Sequence, residues 1–237
     1  DMPTYLRFLE DVFPYMEKYK YRSGMEVIVE EMNTLLKDTS LGTVSDRALL
    51  LDFRANCEVR MEKAIKYEKE AVELIAEVTA ENAHLAANLH ANLGGLCKQT
   101  GKLELAKQHM ETGISLLEQY GLVPYHDSIP QITNYAVLLT DMGEPQLGLS
   151  ALQKLARVVR EYNSDKTADY GAVQDAMGKI CLAMGDVQQA TMHFKKALAI
   201  YETVFESEPE MIEENKQDIL ETYAQAGVYL GKRLLNK

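Results

Sequence analysis

Apolar residues recur along the chain at steps of three and four. In Met61–Glu77 they fall at Ala64, Ile65, Tyr67, Ala71, Leu74 and Ile75, which is the spacing of one face of an α-helix. Hairpin Asn-Gly or Asp-Gly pairs and sustained alternation of apolar and polar residues, the signs of strands, are missing. The 6 prolines and 14 glycines stand between long helix-favouring runs. The pattern predicts helices throughout.

The punctuation between helices is periodic. Lys98-Gln99-Thr100-Gly101, Thr140-Asp141-Met142-Gly143 and Leu182-Ala183-Met184-Gly185 each close one apolar run and precede another, and their glycines stand 42 residues apart; a further step reaches Gly227. A tight turn between antiparallel helices needs a left-handed backbone, which glycine adopts at little cost. Asp186 is placed to cap the next helix with Gln189 as its capping-box partner, and Pro145 suits a first helical turn. Small residues repeat five and twelve places after the turn: Ala106 and Gly113, then Ala190 and Ala197, with the weaker Gly148 and Leu155 between. Large apolar residues lie between them, at Met110, Leu152 and Phe194. Before the turn, Leu93-Gly94 and Met177-Gly178 are equivalent, with Tyr135-Ala136 in the middle copy. This reads as a repeat of helical pairs.

Composition narrows the function. Apolar residues make up 46% of the 237, enough for a core, and the net charge is −11. An acidic chain is repelled by phosphate backbones and anionic membranes, so no nucleic acid and no membrane are expected as partners. Cys57, Cys97 and Cys181 form no paired spacing, which argues against a disulfide framework or a metal motif and fits a cytoplasmic protein. No stretch is apolar enough to span a membrane, and no signal-peptide pattern opens the chain. The start Asp1-Met2-Pro3 suggests a segment of a longer polypeptide.

Chemistry-bearing motifs are few. No Walker loop, GxSxG or HExxH occurs, and no GxGxxG follows a strand. His126-Asp127-Ser128 holds triad residue types, but neighbours in a loop cannot form a relay. His84 and His90 are six apart and off a shared helical face. Cys97 and Cys181 occupy packing positions. The stretch Phe205–Asn215, with five glutamates, is a solvated helix end or linker. No enzyme, no cofactor and no metal are expected.

The repeats resemble the tetratricopeptide family, whose motif is W-x2-L-G-x2-Y followed by A-x3-F. One copy reads His90-x2-Leu93-Gly94-x2-Cys97, then Ala106-x3-Met110; another reads Gln174-x2-Met177-Gly178-x2-Cys181, then Ala190-x3-Phe194. The 42-residue period is similar to the long variety of kinesin light chains and bacterial regulators. No aromatic stands at the first motif position in any copy. The resemblance implies an all-α, right-handed superhelical solenoid of antiparallel pairs. It spans residues 1–237 as a single array: an irregular pair at 1–44 around Gly24, a degenerate repeat at 45–81 with Val59 in the glycine place, clear repeats at 82–129, 130–170 and 171–210, and a partial repeat at 211–237.

By the same resemblance, the first helix of each pair lines a concave groove that takes a peptide or protein partner. That face carries Asn88, Ala91, Asn92, Gly95 and Lys98; then Thr133, Asn134, Val137, Thr140 and Asp141; then Asp175, Lys179 and Leu182. Asn92 and Asn134 look like family asparagines that bind a peptide main chain, and Lys98 and Lys179 would favour acidic groups on the ligand. A protein-interaction scaffold within a larger signalling or regulatory protein is the expected function; the alternative is a structural array that self-associates through its ends, with no peptide ligand. The last helix, with Ile219, Leu220 and Tyr223, lacks a complete partner helix, so a homo-oligomer formed through the C-terminal end is expected, or cover by residues outside this chain.

Overall fold

A computed structural model describes residues 2–124 and 128–228. These hold eleven α-helices and no strand, in two compact units covering residues 1–120 and 121–237. Each unit has its own core.

The first unit contains α1 (Met2–Lys18), α2 (Arg22–Leu35), α3 (Val44–Cys57), α4 (Met61–Leu74), α5 (Ala83–Gln99) and α6 (Leu103–Gln119). One core cluster joins α1, α2 and α3 through Leu9, Phe13, Met32 and Phe53, with the rings of Phe13 and Phe53 stacked 3.7 Å apart. Another joins α3, α4 and α5 through Ala48, Ala71, Ile75 and Leu89. The end of α6 is tied down by Tyr120, whose hydroxyl donates to the Val78 carbonyl at 2.9 Å. The second unit contains α7 (Ser128–Asp141), α8 (Pro145–Tyr162), α9 (Ala168–Ala183), α10 (Val187–Val204) and α11 (Pro209–Gln225).

The 42-residue register holds in the backbone. Gly101, Gly143, Gly185 and Gly227 all have φ between +74° and +83°. At each, the amide of the following residue bonds a carbonyl five positions back: Lys102 to Cys97, Glu144 to Leu139, Asp186 to Cys181 and Val228 to Tyr223, at 2.8–2.9 Å. This is the six-to-one closure that ends a helix on a left-handed glycine. Asp186 caps α10 by accepting from the Gln189 amide, and Pro145 opens α8. Gly94 and Gly178, 84 residues apart, serve close approach instead. A Cβ on Gly94 would stand 2.7 Å from Met110, and one on Gly178 would stand 2.6 Å from the Phe194 ring.

One expectation is corrected. The turn of the first pair lies at Lys20, with φ 54°, and Gly24 sits inside α2. Its missing side chain makes room for the Tyr21 ring, 2.6 Å from where a Cβ would be. At the other end, Ile219 and Tyr223 of α11 are buried with Cys181, Ala190 and Phe194 of α9 and α10, while Leu220 is half-buried.

Candidate functional site

In the first unit the expected face belongs to α5. Asn92 is exposed, Asn88, Ala91 and Lys98 are half-buried, and the space beside Gly95 is open, with nothing within 4 Å of a Cβ built there. The polar groups are already engaged. Asn88 lies 3.5 Å from His84 Nδ1, and Asn92 Nδ2 donates to Asp52 Oδ1 at 2.9 Å. Asp52 in turn faces Glu68 of α4, and Glu68 is 1% exposed. Burial pushes both carboxyls up, Glu68 to about 10 with the neighbouring Asp52 charge adding to it; hydrogen bonds from Glu68 and Asn92 pull Asp52 back. Two carboxyls this close in a low-dielectric interior retain a proton between them. Glu68 was legible as an anomaly, since it stands on the apolar stripe of α4 between Ile65 and Ala71.

In the second unit the expected face is shared by α7 and α9. Asn134 is exposed on α7. Its neighbour Thr133 has a buried hydroxyl with no hydrogen-bond partner. One repeat on, Asp175 is in the same condition: Oδ2 pairs with Lys179 at 2.8 Å, while Oδ1 is buried and unpartnered. Lys179 also holds Asp218 of α11 at 2.7 Å. Burial opposes the Lys179 charge, but Asp175 and Asp218 outweigh it and hold its pKa above the usual lysine value. Burial raises Asp175. One cation between two carboxylates leaves this cluster net negative, so Lys179 is not a free cation for acidic ligands. Leu182, expected on the open face, is core, and the Thr140 hydroxyl bonds back to the Ala136 carbonyl. Val137 is half-buried and Asp141 is exposed.

The remaining expected residues fall outside this face. Ser128 donates to the Val123 carbonyl at 2.6 Å; His126 and Asp127 lie outside the described residues. Cys97 and Cys181 are buried free thiols whose pKa burial raises. No group of three or more potential metal ligands gathers among the described residues, and none of the described helices is long and apolar enough to cross a membrane.

Two polar pairs that cross a helical hairpin escaped sequence reasoning. His90 and His109 bring their Nδ1 atoms to 3.1 Å, and His193 Nδ1 lies 2.9 Å from Gln174 Oε1. The pairs occupy equivalent positions two repeats apart. Burial and the His109 ring lower His90 to about 4. Each pair joins residues 19 apart in sequence, a separation set by the hairpin and invisible to helical periodicity.

A family profile for the tetratricopeptide repeat matches residues 128–203. Among curated relatives, the protein kinesin light chain-related 3 of Arabidopsis thaliana is 23% identical over 171 residues, which is 72% of this chain and 25% of that protein; the chain thus spans about a quarter of that relative's length. Two solved structures are similar in fold. BtubC (BKLC) from P. vanneervenii has a TM-score of 0.69 at 18% identity, covering 92% of this chain and 87% of its own. A Rap protein complexed with competence and sporulation factor has a TM-score of 0.61 at 15% identity, covering 99% of this chain and 70% of its own.

Proposed function

We propose that this chain, built of tetratricopeptide repeats of the kinesin light chain type, is a protein-interaction scaffold that holds a peptide or protein segment on the first helices of its pairs. The observation that carries the reading is in the second unit. Thr133 Oγ1 and Asp175 Oδ1 are buried polar atoms without partners, at equivalent positions of successive repeats on one expected face. An unmet buried hydrogen bond costs about 1–3 kcal/mol, and a ligand main chain offers both the acceptor that a hydroxyl needs and the donor that a carboxylate needs. The exposed amide of Asn134 beside them can both donate and accept, so it can read a main chain with little regard to sequence. The similar Rap protein is complexed with a factor, which is consistent with a ligand-holding array. A place in a larger signalling or regulatory protein belongs to the same proposal.

The test begins with peptides selected from a random display library against the purified chain. They are then titrated calorimetrically into wild type, Asn134→Ala and Thr133→Val, with melting curves as controls. One lost hydrogen bond predicts about 2- to 12-fold weaker binding for Asn134→Ala. Asn92→Ala is a poorer probe, because it also removes a donor from buried Asp52. Unchanged affinity in both second-unit variants would move the site off this face.

A further inference from the structure

A pocket of about 390 Å³ opens in the second unit between α8, α9 and α10, within the range of small-molecule sites. It lies on a different side of α9 from Asp175 and Lys179. Its floor is buried: Ala156, Tyr170, Met177 and the amide of Gln174, which is 3% exposed. Its rim carries Arg157 from α8 and Lys196 and His193 from α10. No aspartate or glutamate lines it, in a chain whose net charge is −11.

We propose that this pocket binds an anion carried on an apolar body, such as an organic phosphate monoester. Three features set it up for that ligand. Lys196 is positioned rather than loose: its Nζ donates to the Tyr170 hydroxyl at 3.0 Å and stands 4.7 Å from the centre of that ring. That contact holds the ammonium at the wall without neutralising it, as a carboxylate would. Arg157 forms no ion pair among the described residues, so its planar fork is available for two-pronged binding of phosphate oxygens. His193 is oriented by its Nδ1 contact with Gln174 Oε1 at 2.9 Å, and its other ring nitrogen is not tied by that contact. The lining is mostly apolar, with Met177 below and Met192 at the edge, so the pocket prefers a phosphate attached to a ring or chain over the bare ion. Methionine side chains adapt to such bodies.

The probes are phenyl phosphate, inorganic phosphate and phenol, added to protein carrying labelled methionine methyl groups. Met177 and Met192 report on the pocket by NMR, and Met25 of the first unit is an internal control. Phenyl phosphate should give saturable shifts at Met177 and Met192 and bind about 10-fold or more tightly than either inorganic phosphate or phenol, as expected for charge-assisted hydrogen bonds combined with apolar burial. Arg157→Gln should weaken phenyl phosphate by about 10-fold, and Arg157→Gln with Lys196→Gln further still. Arg160→Gln, which changes a cation outside the lining, should leave affinity as it was. A blocked Gly-phosphotyrosine-Gly peptide separates the sources: tighter binding than phenyl phosphate marks a modified side chain of a partner, and equal or weaker binding marks a free small anion. Phenol binding as well as phenyl phosphate, or an Arg157→Gln protein that is folded and binds unchanged, would overturn the proposal.

Discussion

Asp52 and Glu68 sit in the interior of the first unit, where the amide of the exposed Asn92 reaches Asp52. Asp52 accepts from the Asn92 amide, and Glu68 faces it with both carboxyl oxygens buried. Glu68 is therefore held neutral, its pKa pushed up to about 10 by burial and by the Asp52 charge, against about 4.5 in the unfolded chain. At pH 7 the folded state holds a proton that the unfolded state has released. Stability from this group is thus full below about 4.5 and declines as pH rises toward 10, with a slope of at most about 1.4 kcal/mol per pH unit. Glu68→Gln keeps the shape, remains neutral and supplies a donor toward Asp52. It should raise the melting temperature at pH 8.5 and flatten the decline between pH 7 and 8.5. A variant that tracks wild type across that range would show that Glu68 does not hold the proton.

At the scale of the helix pair, close approach and turn geometry set the tolerances. Ala106 and Ala190 are fully buried at equivalent positions, and the Ala106 carbonyl lies 3.1 Å from where a Gly94 Cβ would stand. Ala106→Leu or Ala190→Leu should therefore destabilise by about 1–3 kcal/mol through overpacking, read as a fall in the midpoint of chemical unfolding. An unchanged midpoint would place these alanines in slack space. Gly143 meets no neighbour within 4 Å but holds φ at +83°, so Gly143→Ala should cost about 1–2 kcal/mol through backbone strain alone, seen in the same unfolding curves. These positions were legible because a constraint on glycine or alanine recurs every 42 residues. Gly24 was misread because glycine marks close approach as well as turns, and sequence alone does not say which. The grouping of the expected residues along each separate helix could be read from helical periodicity. Their state could not: the Asn92–Asp52 bond, the Lys179 cluster and the hairpin-crossing histidines depend on which side chains meet across helices.

The two units should differ in how they respond to pH, because among the described residues the buried carboxyl pair Asp52 and Glu68 belongs to the first. Above pH 7 the shifted histidines drop out of the balance. His90, His109 and His193 have lowered pKa values through burial, so their contribution to stability is complete above about 6.5 and is lost only as pH falls. Burial pushes the thiols up, so they act as pH approaches and passes the ordinary cysteine range. In the second unit, the raised Asp175 is opposed by its ion pair with Lys179. Glu10 and Glu17 of the first unit are raised as well, but Glu10, at about 7, loses most of its contribution below that pH; between pH 7 and 8.5 the main titrating load is therefore Glu68, and its loss amounts to at most about 2 kcal/mol. Native-state hydrogen exchange, corrected for the intrinsic rate at each pH, resolves the two units. Protection in α3, α4 and α5 should fall by up to about 30-fold over this range, while α9, α10 and α11 should hold theirs. In Glu68→Gln the two regions should behave alike. Equal loss in both units of the wild type would mean that they open as one cooperative body; no loss in either would mean that Glu68 is already ionised at neutral pH and that its charge is met by a partner.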